Sequence, residues 1–422
     1  MSFKEKSQSE FIKNVFTLVT GTAIAQCVPV ILSPFLRRWI TVEEYAVFEV
    51  FFRLMSIISI AAALRYPLAI VLPKEDKEAS NLLCLSMLIS TFINLLLLGV
   101  IYFFNNAITL TLNIPDNYSS VLYWVPVGAF LISMCNIFNY WLIRKKAFSA
   151  SSINKVVHKV SESTFWVSFI HIGFQNTLIW GDLLARLAWL LMAIKQSINN
   201  QLSVRYCSLK EMWFRAIEYK AYPLYNTLPA LLNVASLMLP VIFVNKLYDE
   251  SVTSNLGLCM QVLGFPLALI SMSVSQVLFQ KITESKNKSI SIKSFISNLV
   301  FKLVLMGALG IVIMYFFGEY LFVLVYGEFY RDAGAFASIL VFSIALKFVI
   351  SPLSLIFPAL DNIKMSSLWQ CIYFILILLL LFLPDLSILD FLLAYLAIEI
   401  LAYTLHAFMI YRVISNYEHK LP

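Results

Sequence analysis

Charge is what this sequence has least of. Charged residues make up 13% of the chain, about half of the ~25% usual in soluble globular proteins. That scarcity excludes a soluble fold. Hydrophobic residues reach 60% and mean hydropathy is +0.82, so a bilayer must solvate the excess apolar surface. Signatures of metal and redox chemistry are also missing. The four histidines, His158, His171, His406 and His419, are scattered and form no HExxH or similar ligand spacing. The six cysteines, Cys27, Cys84, Cys135, Cys207, Cys259 and Cys371, contain no CxxC pair. Five of them lie in apolar runs, where cysteine behaves as a small core residue. No GxxxxGK[ST] phosphate loop is present, so direct use of ATP is not expected. Neither a cofactor nor a metal is expected.

What is present is a series of apolar runs, each near the ~20 residues that cross a hydrocarbon layer as a helix. They lie near 13–36, 45–65, 80–104, 118–143, 154–172, 176–197, 223–246, 253–280, 295–317, 333–359, 365–384 and 387–411. The fifth is the least apolar, because Lys155, His158 and Lys159 intrude on its start. The polar segment Met1 to Glu10 leads into a run too long for a signal-peptide core and without an A-x-A cleavage site. A retained first helix with a cytoplasmic tail is expected.

Lysine and arginine in the loops orient such a chain. With the N-terminus inside, 23 of the 31 basic residues fall on the cytoplasmic side, from Lys4 and Lys6 to Arg412 and Lys420. Only Arg37, Arg38, Lys246 and Arg331 fall outside, and Arg53, Arg186, Lys302 and Lys347 fall within spans. Both termini are therefore expected in the cytoplasm. The basic excess needs no nucleic-acid partner to explain it. The longest loop, Lys195 to Lys220, is basic and carries Trp213 and Phe214, which suits an interfacial amphipathic segment. It divides the chain into a bundle over 1–200, a linker over 201–221 and a second bundle over 222–422. Pro29-Val30-Ile31 in the first span matches Pro240-Val241-Ile242 in the seventh, an offset of 211 residues. A match this short leaves duplication and coincidence equally open; duplication would give a parallel repeat about the membrane normal.

Three segments resemble the polysaccharide-export flippases. The likeness is to the O-antigen (Wzx-type) branch of the multidrug/oligosaccharidyl-lipid/polysaccharide exporter superfamily. RRWITVEEYAVF, Arg37 to Phe48, is similar to the short outer turn of that family, with Ala46 where glycine is usual. LRYPLAIVLPKEDKEASNLL, Leu64 to Leu83, is similar to its LRYE-x-AI-x-LP stretch, with Pro67 in place of glutamate. The third, Tyr222 to Gln280, resembles helices seven and eight, ending in FPLALISMSVSQVLFQ. GEFYRDAG, Gly327 to Gly334, is a shorter echo, with Tyr330 where tryptophan is common. The resemblance implies an all-α polytopic membrane protein with about twelve transmembrane helices in two six-helix bundles around a central cavity. It implies a transporter rather than an enzyme, working by alternating access and ion-coupled. The implied cargo is an undecaprenyl-diphosphate-linked oligosaccharide, an O-antigen or similar repeat unit, moved from the cytoplasmic to the periplasmic leaflet of the bacterial inner membrane. Membrane lipid, an O-antigen polymerase and a chain-length regulator are the implied partners.

A diphosphate is anionic, so its path should hold cations. A charge at mid-bilayer costs about 2.5–3.5 kcal/mol on insertion scales, so charges within spans tend to face a cavity. The candidate path residues are Arg53, Arg65, Arg186, Lys302 and Lys347. The candidate ion-coupling residues are Glu49, Asp182 and Glu399. Glu49 with Arg53, and Asp182 with Arg186, are i,i+4 pairs on one helical face. Each pair reads equally as a neutralised packing contact. Arg65 and Lys302 lie near the inner interface, where a snorkelling anchor is the competing role. Glu399 has no opposite charge at i±3 or i±4. An isolated carboxylate in hydrocarbon takes up a proton at neutral pH, which makes it a candidate for proton coupling, with His406 on the same face. A plain interior hydrogen bond is the alternative.

Two other functions compete. An O-antigen polymerase or ligase would need a catalytic outer loop, but the expected outer loops are only about 4 to 15 residues long. A drug antiporter of the same superfamily would suit cationic span residues less well than an anionic lipid does.

Overall fold

Where lipid offers no hydrogen-bond partner, an apolar run must satisfy its own backbone, and the helix does so within one segment. The computed structural model describes residues 27–383 and 386–421. Residues 13–26 of the first expected span, with Lys4, Lys6 and Lys13, lie outside them. The first half contains α1 (described over residues 27–39), α2 (Val42–Ala61), α3 (Asp76–Leu112), α4 (Trp124–Arg144), α5 (Phe148–His171) and α6 (Thr177–Asn199). A short α7 (Leu209–Glu218) connects to the second half. There follow α8 (Ala221–Leu247), α9 (Glu250–Asn287), α10 (Lys293–Tyr326), α11 (Arg331–Ile350), α12 (Ile356–Ala359), α13 (Ile363–Leu378) and α14 (Ile388–Glu418). Among the described residues there is no strand. Within the described residues each expected span has its helix, and the chain is an all-α, multi-pass membrane protein.

Among the described residues, nine helical stretches are long and apolar enough to cross a membrane. α2 and α5 are not among them, because charges interrupt their apolar windows. α2 carries Glu43, Glu44, Glu49 and Arg53, and α5 carries Lys155, Lys159 and Glu162. The charges that weaken these helices as spans are the ones that build the sites described below.

The chain divides into two compact units, Met1–Met238 and Leu239–Pro422. In the first, α4 packs against α2, α3, α5 and α6 around Phe51, Met55, Leu82, Ile137 and Trp141. In the second, α11 packs against α9, α10 and α14 around Leu256, Phe322, Phe336, Leu340 and Phe391. α10 and α11 approach closely at two glycines. A Cβ on Gly334 would stand 2.5 Å from the Glu319 Cα and 2.8 Å from the Gly318 carbonyl oxygen. The most apolar stretches of α3 and α10 are only 22% and 11% buried. Phe92, Leu95 and Leu96 on α3, and Phe301, Leu305 and Leu309 on α10, are exposed. Apolar faces of this extent are faces for lipid.

Two helices depart from the expected limits. α3 has 37 residues and α9 has 38, about 55 Å at 1.5 Å per residue, which exceeds the ~30 Å hydrocarbon layer. α3 is irregular at Phe104, with φ −116° and ψ 16°. The expected tenth span, 333–359, is broken. Pro352 has no N–H to continue α11, so a 3-10 turn, Ser351–Leu355, separates α11 from α12. Pro266, by contrast, sits inside α9 without ending it.

Candidate transport sites within the two units

The acidic turn before α2 is capping architecture. Thr41 is the N-cap, and its hydroxyl accepts the Glu44 N–H at 3.3 Å. Glu44 reaches further, accepting the Leu178 N–H at 3.0 Å in the first turn of α6. A carboxylate there meets the positive end of the helix and unpaired backbone donors. One turn on, Glu49 and Arg53 pair as their spacing predicts, with Nη2 to Oε2 at 2.8 Å. Arg37, placed by its sequence position in an outer loop, is instead 4% exposed on α1. Its guanidinium lies 3.7 Å over the Tyr45 ring and 3.9 Å from the Glu49 carboxylate. Cation–π contact and an ion pair compensate its burial. One carboxylate thus faces two guanidiniums. Arg53 also spends one N–H on the Met238 sulfur at 3.6 Å, and its buried Nε has no partner.

Asp182 and Arg186 form a tighter pair on α6. Arg186 donates Nε and Nη2 to the two carboxylate oxygens at 2.6 and 2.8 Å, and the Asp182 side chain is 0% exposed. α5 brings two residues that the sequence reading did not join to this pair. Glu162 accepts from Lys159 at 2.7 Å, and His158 packs on the Trp189 ring with centroids 5.1 Å apart. Ligating atoms of His158, Glu162 and Asp182 all lie within 4.8 Å of one another. Both carboxylates already face a cation, Lys159 or Arg186, so the group balances its charge from its own residues. The His158 Nε2 is buried without a partner. The clue was available in sequence: His158 and Glu162 have the same i,i+4 spacing as the pairs that were recognised.

In the second unit, Lys347 on α11 meets Glu399 on α14 at 2.5 Å, with side-chain exposures of 6% and 0%. Tyr373 on α13 donates its hydroxyl to the other carboxylate oxygen at 2.5 Å. The Lys347 ammonium also lies 5.8 Å from the Tyr395 ring centroid and 5.5 Å from that of Tyr403. The expectation that Glu399 is isolated is corrected here: it lacks a partner on its own helix but finds one across the bundle. His406 does not join it. Its ring stacks on Trp369 at 3.8 Å and on Phe357 at 5.6 Å, and neither nitrogen has a partner.

The remaining two candidates stand apart from these clusters. Arg65 occupies a left-handed turn after α2, with φ 60°, following Leu64 at φ 47°. A 3-10 turn, Tyr66–Val71, follows, with Pro67 among its first residues. The Arg65 Nε is buried and unpartnered. Lys302 is exposed on α10 beside Phe301, Val304 and Leu305, a position that suits snorkelling.

A family profile described as "Polysaccharide biosynthesis protein" matches residues 11–217, a stretch that holds α2 to α6 and both the Glu49–Arg53 and Asp182–Arg186 pairs. The chain is similar to this family over that stretch. No curated protein sequence matches it. Solved structures establish the fold. An inward-facing multidrug resistance MATE family transporter of the MOP superfamily superposes with a TM-score of 0.75 at 13% identity, covering 97% of this chain and 96% of that one. The lipid II flippase MurJ, in an inward closed conformation, gives 0.73 at 14% identity, covering 94% and 90%. A MOP superfamily transporter from Pyrococcus furiosus, described by a reversed polarity of its binding pocket, gives 0.68 at 13% identity, covering 96% of each chain.

Proposed function

We propose that this chain is a flippase for an undecaprenyl-diphosphate-linked oligosaccharide. It carries the lipid from the cytoplasmic to the periplasmic leaflet of a bacterial inner membrane by alternating access. The observation that carries the reading is the buried Arg53, which Glu49 holds at 2.8 Å while its Nε has no partner among the described residues. A buried guanidinium N–H is costly unless an acceptor completes it. The unpartnered Arg53 Nε supplies a donor for an anion, and guanidinium forks suit phosphate oxygens.

Coupling is assigned to the carboxylates that hold the other cations. In the Lys347–Glu399–Tyr373 group, a proton on Glu399 removes the charge that retains Lys347, and the freed ammonium can meet the diphosphate. Loss of the proton restores the pair and releases the anion. Asp182 with Arg186 offers the same exchange in the first unit. Cationic residues within the helices suit an anionic lipid better than a cationic drug.

The test is surface polysaccharide in cells that carry Arg53→Gln, Arg186→Gln or Lys347→Gln at normal protein level. Each is expected to lose it at least tenfold. Wild-type polysaccharide in all three variants would refute the assignment of these cations to the path.

A further inference from the structure

Two cysteines 123 residues apart in sequence meet where the linker docks on the first unit. Cys84 lies in the third turn of α3, and Cys207 directly precedes Ser208, the N-cap of α7. Their sulfurs are 2.6 Å apart, both thiols are free, and both residues are half-buried.

The surrounding contacts hold them in that position. Asn81 donates its Nδ2 to the Tyr206 carbonyl at 3.1 Å, and its Oδ1 accepts the Ser208 N–H at 3.0 Å. One side chain thus clamps the backbone on both sides of Cys207. Cys207 itself donates to the Ser80 carbonyl at 3.3 Å. Further along, Arg215 bridges to Glu78 at 2.6 Å, and Tyr66 donates its hydroxyl to the Ala216 carbonyl at 2.9 Å. The Ser208 hydroxyl accepts the Glu211 N–H at 3.3 Å, which fixes where α7 begins. Apart from the Cys207–Ser80 contact, none of these needs the sulfurs, so the two thiols are held side by side by their neighbours.

We propose that Cys84 and Cys207 are an oxidative modification site, at which a two-electron oxidant joins the linker covalently to α3. Two S–H bonds break and one S–S bond forms. The two electrons and two protons pass to the oxidant: an organic hydroperoxide leaves as an alcohol and water, and a small disulfide leaves as two thiols. The loop charges place this end of α3 on the cytoplasmic side, where reducing thiols keep such a pair open and oxidative stress closes it. Burial pushes the Cys207 thiol above its ordinary value. Because the thiolate is the attacking form, closure speeds up as pH rises. Cys135 and Cys259 are buried in the helix bundles and have no such partner sulfur among the described residues.

The experiment treats the full chain, purified in detergent, with diamide or with oxidised glutathione. Free thiols are then alkylated, and the digested protein is read by mass spectrometry without reduction. The expected product is a linked peptide pair containing Cys84 and Cys207, two hydrogens lighter than its parts and split by dithiothreitol. It should form several-fold faster at mildly alkaline than at neutral pH, and Cys84→Ser or Cys207→Ser should abolish it. Full alkylation of both cysteines after oxidation of the folded protein would overturn the proposal. So would equal cross-linking of either to Cys27 or Cys371. The readout needs no transport, so its failure is distinct from failure of the flippase reading.

Discussion

Replacing Glu399 by glutamine removes a charge and little else. The glutamine Oε1 can still accept from the Tyr373 hydroxyl, which donates to the native carboxylate at 2.5 Å. What changes is Lys347, whose side chain is 6% exposed and whose ammonium sits 2.5 Å from the lost charge. Breaking a buried pair from one side costs about 3–5 kcal/mol, because the other charge stays buried. The Tyr395 and Tyr403 rings, at 5.8 and 5.5 Å, return part of this, on the order of 0.5–1 kcal/mol each. Glu399→Gln should therefore destabilise the second unit by roughly 1–4 kcal/mol. Adding Lys347→Met removes the orphaned charge and should recover most of that loss, since buried pairs and apolar residues of similar volume are often equivalent in stability. Thermal unfolding in detergent, followed by tryptophan fluorescence, orders the three proteins. A double variant as unstable as Glu399→Gln would refute the charge-compensation argument. The stable double variant should nonetheless fail to transport, because neither the cation nor the exchangeable proton remains.

The packing makes further predictions. Gly334→Val drives a side chain into the backbone at Glu319, already 2.5 Å from a Cβ. Overpacking of this kind costs about 1–3 kcal/mol or more, and the fluorescence midpoint should fall while Gly99→Val, at a site with nothing within 4 Å, leaves it unchanged. Thr41→Ala removes the N-cap of α2 and should cost about 1 kcal/mol, read as faster amide exchange in the first turn of that helix.

Much of the fold was legible because a helix in lipid advertises itself by length and hydropathy alone. The interruptions had local signals that the sequence reading passed over: Pro352 splits the tenth span, and Ser208 with Glu211 marks the start of the linker helix. Pairs on one helix, Glu49 with Arg53 and Asp182 with Arg186, follow from i,i+4 spacing. Pairs between helices do not. Lys347 and Glu399 are far apart in sequence and on separate helices, so Glu399 read as isolated until α11 and α14 packed together. Arg37 misled for the opposite reason. Its position before the acidic turn suits an outer loop, and its contacts with Tyr45 and Glu49 come from how α1 and α2 pack. Cys84 and Cys207 belong with these, since nothing in their spacing announces a contact that depends on how the linker folds back on α3.

The most direct measurement of the central claim is translocation in reconstituted vesicles. Fluorescent undecaprenyl-diphosphate oligosaccharide is placed in one leaflet, and its arrival in the other is read by a membrane-impermeant quencher. Wild-type protein should speed transfer at least tenfold over empty vesicles, and Arg53→Gln should return it to that background. Transfer at the background rate with folded wild-type protein, with and without a proton gradient, would contradict the account.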